Sequence, residues 1–172
     1  RMNETLAAAR RLGIQIVHAP SDVLEFYRDD PQRQAMRAIP SHPVPPEVNF
    51  QPPPPPPGQD CCECGPDRPC PGGGVWKRQH PDLVIAAGDL IGDCNVGREL
   101  LNLCQERGID TLVYMGVASN MCVLHRGFGL LFMKRHGLRA FVVSDLVEAI
   151  TANGLDPATR QPDWNFTPAK GS

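Results

Sequence analysis

Cys122 is the residue whose setting most strongly suggests chemistry. It lies in Gly116-Val117-Ala118-Ser119-Asn120-Met121-Cys122-Val123, which reads as a strand end, a turn of small residues and the first turn of a helix. The unpaired N–H groups and positive dipole end of a helix favour a thiolate, the nucleophilic form of cysteine. The same amides can bind the oxyanion that forms when a thiolate attacks a carbonyl. Gly116, Ala118 and Ser119 leave room for a small substrate near the backbone, and Ser119 and Asn120 are candidates to line its pocket. An arbitrary cysteine packs as a small hydrophobe. Here the strand-end position and the turn chemistry favour the nucleophile.

Several other residues are candidates of lesser weight. His18 ends the apolar segment Ile14–His18 before Ala19-Pro20, where it would face a cleft; a packed, hydrogen-bonded histidine is the plainer reading. His125 and Arg126 follow the cysteine by one helical turn, and His125 either lies near its face or points at the next helix. Gly127-Phe128-Gly129 has no G-x-G-x-x-G pattern after a strand, so close helix packing accounts for it better than phosphate binding. Trp76 and His80 are candidates to border the cleft entrance. Cys61-Cys62-Glu63-Cys64, with Cys70, contains one C-x2-C spacing, open to zinc, to disulfides in an exported protein or to free thiols. We expect no metal centre and no cofactor.

The elements that must position Cys122 follow from apolar patterning. A helix is expected from about Glu4 to Leu12, capped by Asn3 and stopped at Gly13, then the strand Ile14–His18. Asp22 with Glu25 resembles a capping box for a short helix through Tyr27. A further helix starts at Pro31 and must end before Pro40. From about 41 to 74 the chain holds six consecutive prolines, four cysteines and Gly72-Gly73-Gly74, leaving little to bury, which marks a surface insertion. Order returns with Leu83-Val84-Ile85, a helix from about Val96 to Arg107, and the strand Leu112–Val117. A helix from about Met121 to His136 follows, then Phe141-Val142-Val143 and a helix through Val147 and Ile150. Strands that are apolar throughout are expected where helices cover both faces of a parallel sheet. The expected fold class is therefore α/β, an open sandwich, with reactive groups at the carboxyl ends of its strands.

Composition excludes whole classes of partner. With 17 Lys+Arg against 19 Asp+Glu there is no broad basic field for nucleic acid. No apolar run approaches the roughly 20 residues of a membrane span. The 172 residues, 41% hydrophobic, supply one domain's core, so we expect a single domain over 1–172. The compartment stays open.

The stretch Gly-Val-Ala-Ser-Asn-Met-Cys-Val resembles the signature of the isochorismatase-like cysteine hydrolases, relatives of nicotinamidases and N-carbamoyl amide hydrolases. The likeness extends through Gln105–Ile109, Val143–Leu146, His18–Asp22 and Trp76–Pro81. It implies a three-layer α/β/α fold and a cysteine, lysine and aspartate triad that attacks an amide carbon through a thioester-type intermediate. It further implies Cys122 as nucleophile, the amides of Ala118 and Cys122 as oxyanion hole, a cis Val117–Ala118 bond, a small-molecule substrate and a homo-oligomer. The family aspartate lies on a strand ahead of the opening helix, so we expect this chain to be a fragment lacking that strand and the C-terminal end. Where the family has its lysine this chain reads Ala86-Ala87-Gly88-Asp89-Leu90. Asp89 is then a candidate acid, base or lysine replacement, against the plainer reading of an exposed loop carboxylate. The rival function is a catalytically impaired family member that serves as a binding or scaffold domain. A third reading, docking of the polyproline run on an aromatic groove, lacks flanking basic residues.

Overall fold

The computed structural model describes residues 1–43, 77–119 and 122–148. In chain order the elements are α1 (Met2–Arg11), β1 (Val17–His18), a 3-10 turn (Leu24–Tyr27), α2 (Pro31–Arg37), β2 (Leu90–Ile91), α3 (Gly97–Arg107), β3 (Thr111–Val117), α4 (Cys122–His125), α5 (Leu130–Arg135) and β4 (Arg139–Glu148). This is an α/β fold in which every observed strand pairing is parallel. β1 pairs with β2, Val17 opposite Leu90, and β3 pairs with β4, Thr111 opposite Arg139. Among the described residues the two pairs share no ladder. The register of β3 and β4 shifts between Tyr114 and Gly116, so Val143 to Leu146 bulge opposite Met115 before Gly116 meets Val147.

Four sequence expectations are corrected by tertiary contacts. Asn3 does not cap α1, whose N-cap is Arg1; its side chain instead donates to the Asp82 carbonyl at 2.7 Å and accepts from the Val84 amide at 3.1 Å. Arg10 adds a bond to the Val84 carbonyl at 2.8 Å, so Leu83–Ile85 is held by side chains as a loop and the strand forms later, at Leu90–Ile91. Asp22 makes no capping box: it has a positive φ of 58°, the short turn begins after Val23, and the carboxylate is engaged elsewhere. β4 continues through Val147, because Val147 pairs with Gly116, where a helix was expected; Ile150 lies outside the described residues.

The expected single helix over 121–136 is two, α4 and α5, separated at Arg126–Gly129. Gly127 explains the break. A Cβ there would meet the Asn95 carbonyl oxygen at 2.4 Å and the Gly97 amide nitrogen at 2.6 Å, so the chain approaches the α3 start more closely than any side chain allows. The Phe128 amide donates to the Cys94 carbonyl at 2.9 Å and completes the junction. Close packing, as expected, is what these glycines serve.

One apolar cluster unites α2, β2, α3 and α5 through Met36, Leu90, Leu100, Leu103, Phe132 and Met133. Leu100, Leu101, Leu103 and Cys104 are all buried, so α3 is apolar around much of its girth and sits at the centre. A smaller cluster of Val23, Tyr27 and Ile91 lies under the loop after β1. Among the described residues no helix is long and apolar enough to cross a membrane.

Candidate functional site

Parallel strands deliver their following loops to one edge, where reactive groups collect. After β1 come Ser21 and Asp22; after β2 come Asp93, Cys94 and Asn95; after β3 come Ala118, Ser119 and Cys122. Side-chain contacts draw these three loops together. The Arg126 guanidinium donates to Asp22 through two bonds, Nη2 to Oδ2 at 2.9 Å and Nη1 to Oδ1 at 3.2 Å, and also to Asn95 Oδ1. Asn95 Nδ2 closes the group by donating to Asp22 Oδ1 at 3.2 Å.

The backbone of the turn is specified closely. The Val117–Ala118 peptide bond is cis. The Ser119 amide donates to the Glu148 carbonyl at 2.6 Å, fixing the exit of β3 to the end of β4. The Val123 amide donates to the Ala118 carbonyl at 3.2 Å, and the Arg126 amide to the Cys122 carbonyl at 3.3 Å. Arg126 stands four positions after Cys122, one helical turn on, which places the two side chains on one face. On the β2 side, Arg33 forms two bonds to Glu99 at 2.7 and 2.9 Å and one to the Ile91 carbonyl at 3.2 Å, while Glu99 accepts from the Asp93 amide at 2.9 Å. The loop carrying Cys94 and Asn95 is thereby held from below.

The electrostatics follow these contacts. The Asp22 carboxyl is held below its ordinary value, first by Arg126 and then by Asn95. Arg126 is held above the usual arginine value, first by Asp22 against the cost of its burial, with a further contribution from Cys122. Cys94 is 4% exposed, and burial pushes its thiol up while the Arg126 charge and Ser21 pull the other way. Its S–H points to Ser21 Oγ at 4.0 Å.

Asp89 and His18 belong to a second cluster. Asp89 precedes β2 and is 3% exposed, so it is a buried anchor where an exposed loop carboxylate was expected. Its oxygens accept from Arg10 Nη2 at 2.6 Å, from Arg10 Nε at 3.0 Å and from the Ala86 amide at 2.9 Å, and Oδ2 lies 2.9 Å from His18 Nε2. Burial pushes this carboxyl up, but the Arg10, Ala86 and His18 bonds outweigh it and hold it at about 2. His18 is 6% exposed, with its Nδ1 against the Gln79 amide at 3.0 to 3.2 Å. Both ring nitrogens are thus engaged inside the protein, the packed alternative to a cleft-facing histidine.

Of the remaining candidates, Ser119 lines an apolar cavity of about 210 Å³ with Val123, Leu124, Leu130, Val142 and Val147. His125 is exposed at the end of α4, and His80 is exposed. Asn120, Trp76, most of the 41–74 insertion and the cluster Cys61, Cys62, Cys64 and Cys70 lie outside the described residues. Asp22 and Asn95 were missed by sequence reasoning. The i to i+4 spacing of Cys122 and Arg126 was a legible signal; the convergence of Asp22 and Asn95 on that arginine was not.

Comparison with curated proteins and with solved structures found no match for this chain. The model of the Isochorismatase domain matches residues 1–168, so the chain, with its α/β fold of parallel strands, belongs to the isochorismatase family, whose members are generally hydrolases.

Proposed function

We propose that this protein is an isochorismatase-like hydrolase acting on an amide or related carbonyl of a small molecule, with Cys122 as nucleophile. The supporting observation is the position of Cys122: it opens α4 directly after β3, where the loops following β1 and β2 converge on the same helical turn. In the proposed reaction the thiol proton passes to the aspartate base that the family resemblance places ahead of α1. The thiolate forms a C–S bond to the carbonyl carbon, and the oxyanion is met by the amides of Ala118 and Cys122. Collapse of that intermediate breaks the C–N bond; the amine leaves with the proton, and water hydrolyses the thioester to regenerate the thiol.

Replacement of Cys122 by Ala or Ser in the full-length protein should abolish turnover of a panel of primary amides and N-carbamoyl compounds. Quenching the wild type during turnover should leave an acyl mass on the peptide that contains Cys122. Undiminished turnover by Cys122→Ala would overturn the nucleophile.

A second reading, a family member with impaired catalysis that binds small molecules or a partner, is favoured by the state of Asp89. That carboxylate is committed to Arg10 and His18, which argues against its replacing the family lysine. Saturable ligand binding without turnover in the full-length protein would select this reading. By resemblance we also propose a homo-oligomer, which sedimentation would test, and a single domain that carries the proline-rich stretch as an insertion.

A further inference from the structure

We propose that Arg126 is the positioning residue that supplies the cation for the Cys122 thiolate, and that Asp22 and Asn95 hold its guanidinium over the sulfur. The inference rests on Cys122 being the nucleophile. It begins from a deficit: the segment Ala86–Leu90 offers no lysine, and a cysteine that must ionise near neutral pH needs a neighbouring positive charge or hydrogen-bond donors. Arg126 meets that need from a different element, one turn along the helix that Cys122 begins.

Three features set it apart from a surface arginine that happens to lie nearby. Its guanidinium is hydrogen-bonded from two sides, by the carboxylate of Asp22 and the amide oxygen of Asn95, one helical turn on from Cys122. Both partners come from other loops, Asp22 lying 104 positions from Arg126 along the chain. Finally, Asp22 occupies a left-handed backbone conformation with φ of 58°, which only a minority of non-glycine residues adopt, and its carboxylate is turned onto Arg126 and Asn95. The planar fork of a guanidinium can serve carboxylate and sulfur together, whereas an ammonium would offer a point charge. The ionisable groups that bear on it are Asp22 from the β1 loop, Cys94 from the β2 loop and Cys122 on α4, with His125 its neighbour in sequence; Asp93 bears on Cys94 beside it. Asp22 balances the arginine charge when the thiol is protonated, so the cluster is close to neutral before ionisation and gains a paired anion after it.

The test is iodoacetamide alkylation of Cys122 in the full chain, followed peptide by peptide by mass spectrometry from pH 5 to 10, with buried Cys104 as the internal control for folding. Arg126→Gln should slow Cys122 alkylation at pH 7 about tenfold and move its rate profile to higher pH, the change expected from removing one adjacent opposite charge. Arg126→Lys should recover part of the rate, and Asn95→Ala should slow it about two- to threefold by loosening the guanidinium without removing a charge. Coincident wild-type and Arg126→Gln profiles, with Cys104 still protected, would overturn the inference. Should Arg126→Gln expose Cys104, Asn95→Ala decides alone: slowing supports the assignment, and an unchanged or faster rate removes it. The hydrolase reading fails separately: a profile that responds to Arg126 in a protein that turns over no substrate keeps the charge pairing and discards the reaction. Turnover with unresponsive profiles does the reverse.

Discussion

At the scale of single residues, two acidic side chains that look alike in the sequence have opposite assignments. Asp89 is enclosed and bonded by Arg10, Ala86 and His18, whereas Asp22 is largely exposed and reaches inward only through Arg126 and Asn95. The consequence for stability lies with Asp89. Its carboxyl is held at about 2 against an ordinary 3.8, so its contribution is complete above about pH 4 and disappears as the pH falls toward 2. A difference of that size corresponds to about 2 kcal/mol. Asp89→Ala should cost more, about 3 kcal/mol, because it also leaves Arg10 and the buried His18 without their acceptor. Urea unfolding of both proteins at pH 7 and pH 3 checks this: the gap between them should narrow at the lower pH. An equal gap at both values would mean that the carboxylate is not held by charge.

At the scale of elements, the junction between α4 and α5 determines where the candidate site sits. Gly127 lets the chain touch the carbonyl of Asn95, and this contact fixes the distance between the cysteine turn and the loop after β2. Gly127→Ala should therefore force backbone apart, because the nearest atoms are main chain and cannot swing aside. We expect a loss of about 1 to 3 kcal/mol, typical of overpacking at a close contact. Because Asn95 and Arg126 flank the junction, Cys122 alkylation should slow in the same variant, whereas Gly88→Ala, where an added Cβ meets nothing within 4 Å, should change neither quantity. Thermal melts together with the alkylation rate provide the comparison. The same junction shows why a continuous helix was expected over 121–136: the apolar residues keep helical spacing on either side, and only the approach of a distant backbone interrupts it.

At the scale of the whole molecule, α2, β2, α3 and α5 share one core around Leu103 and Met133, 1% and 0% exposed, so its disruption should be felt as a unit. Leu103→Ala should cost about 2 to 5 kcal/mol. Cys104 beside it reports the loss, since burial pushes its thiol up to about 11 and it should stay unlabelled at pH 8 until unfolding. Its labelling midpoint in urea should shift to lower denaturant by the same amount as the loss of helical ellipticity; separate midpoints would mean that the core does not unfold as one. The sequence by itself was enough for the alternation of helices and strands, the buried face of α3 and the turn that presents Cys122, because apolar spacing, glycine and proline act over a few neighbouring residues. It was also enough for the family, through a motif confined to eight residues. Only the tertiary structure could decide that Leu83–Ile85 is a loop held by Asn3 and Arg10, that Asp89 is a buried partner of Arg10, and that Asp22 belongs to Arg126. Those partners stand 74 to 104 positions apart along the chain. Charge and hydrogen bonding take the partner that folding brings near, and local sequence carries no record of which partner that will be.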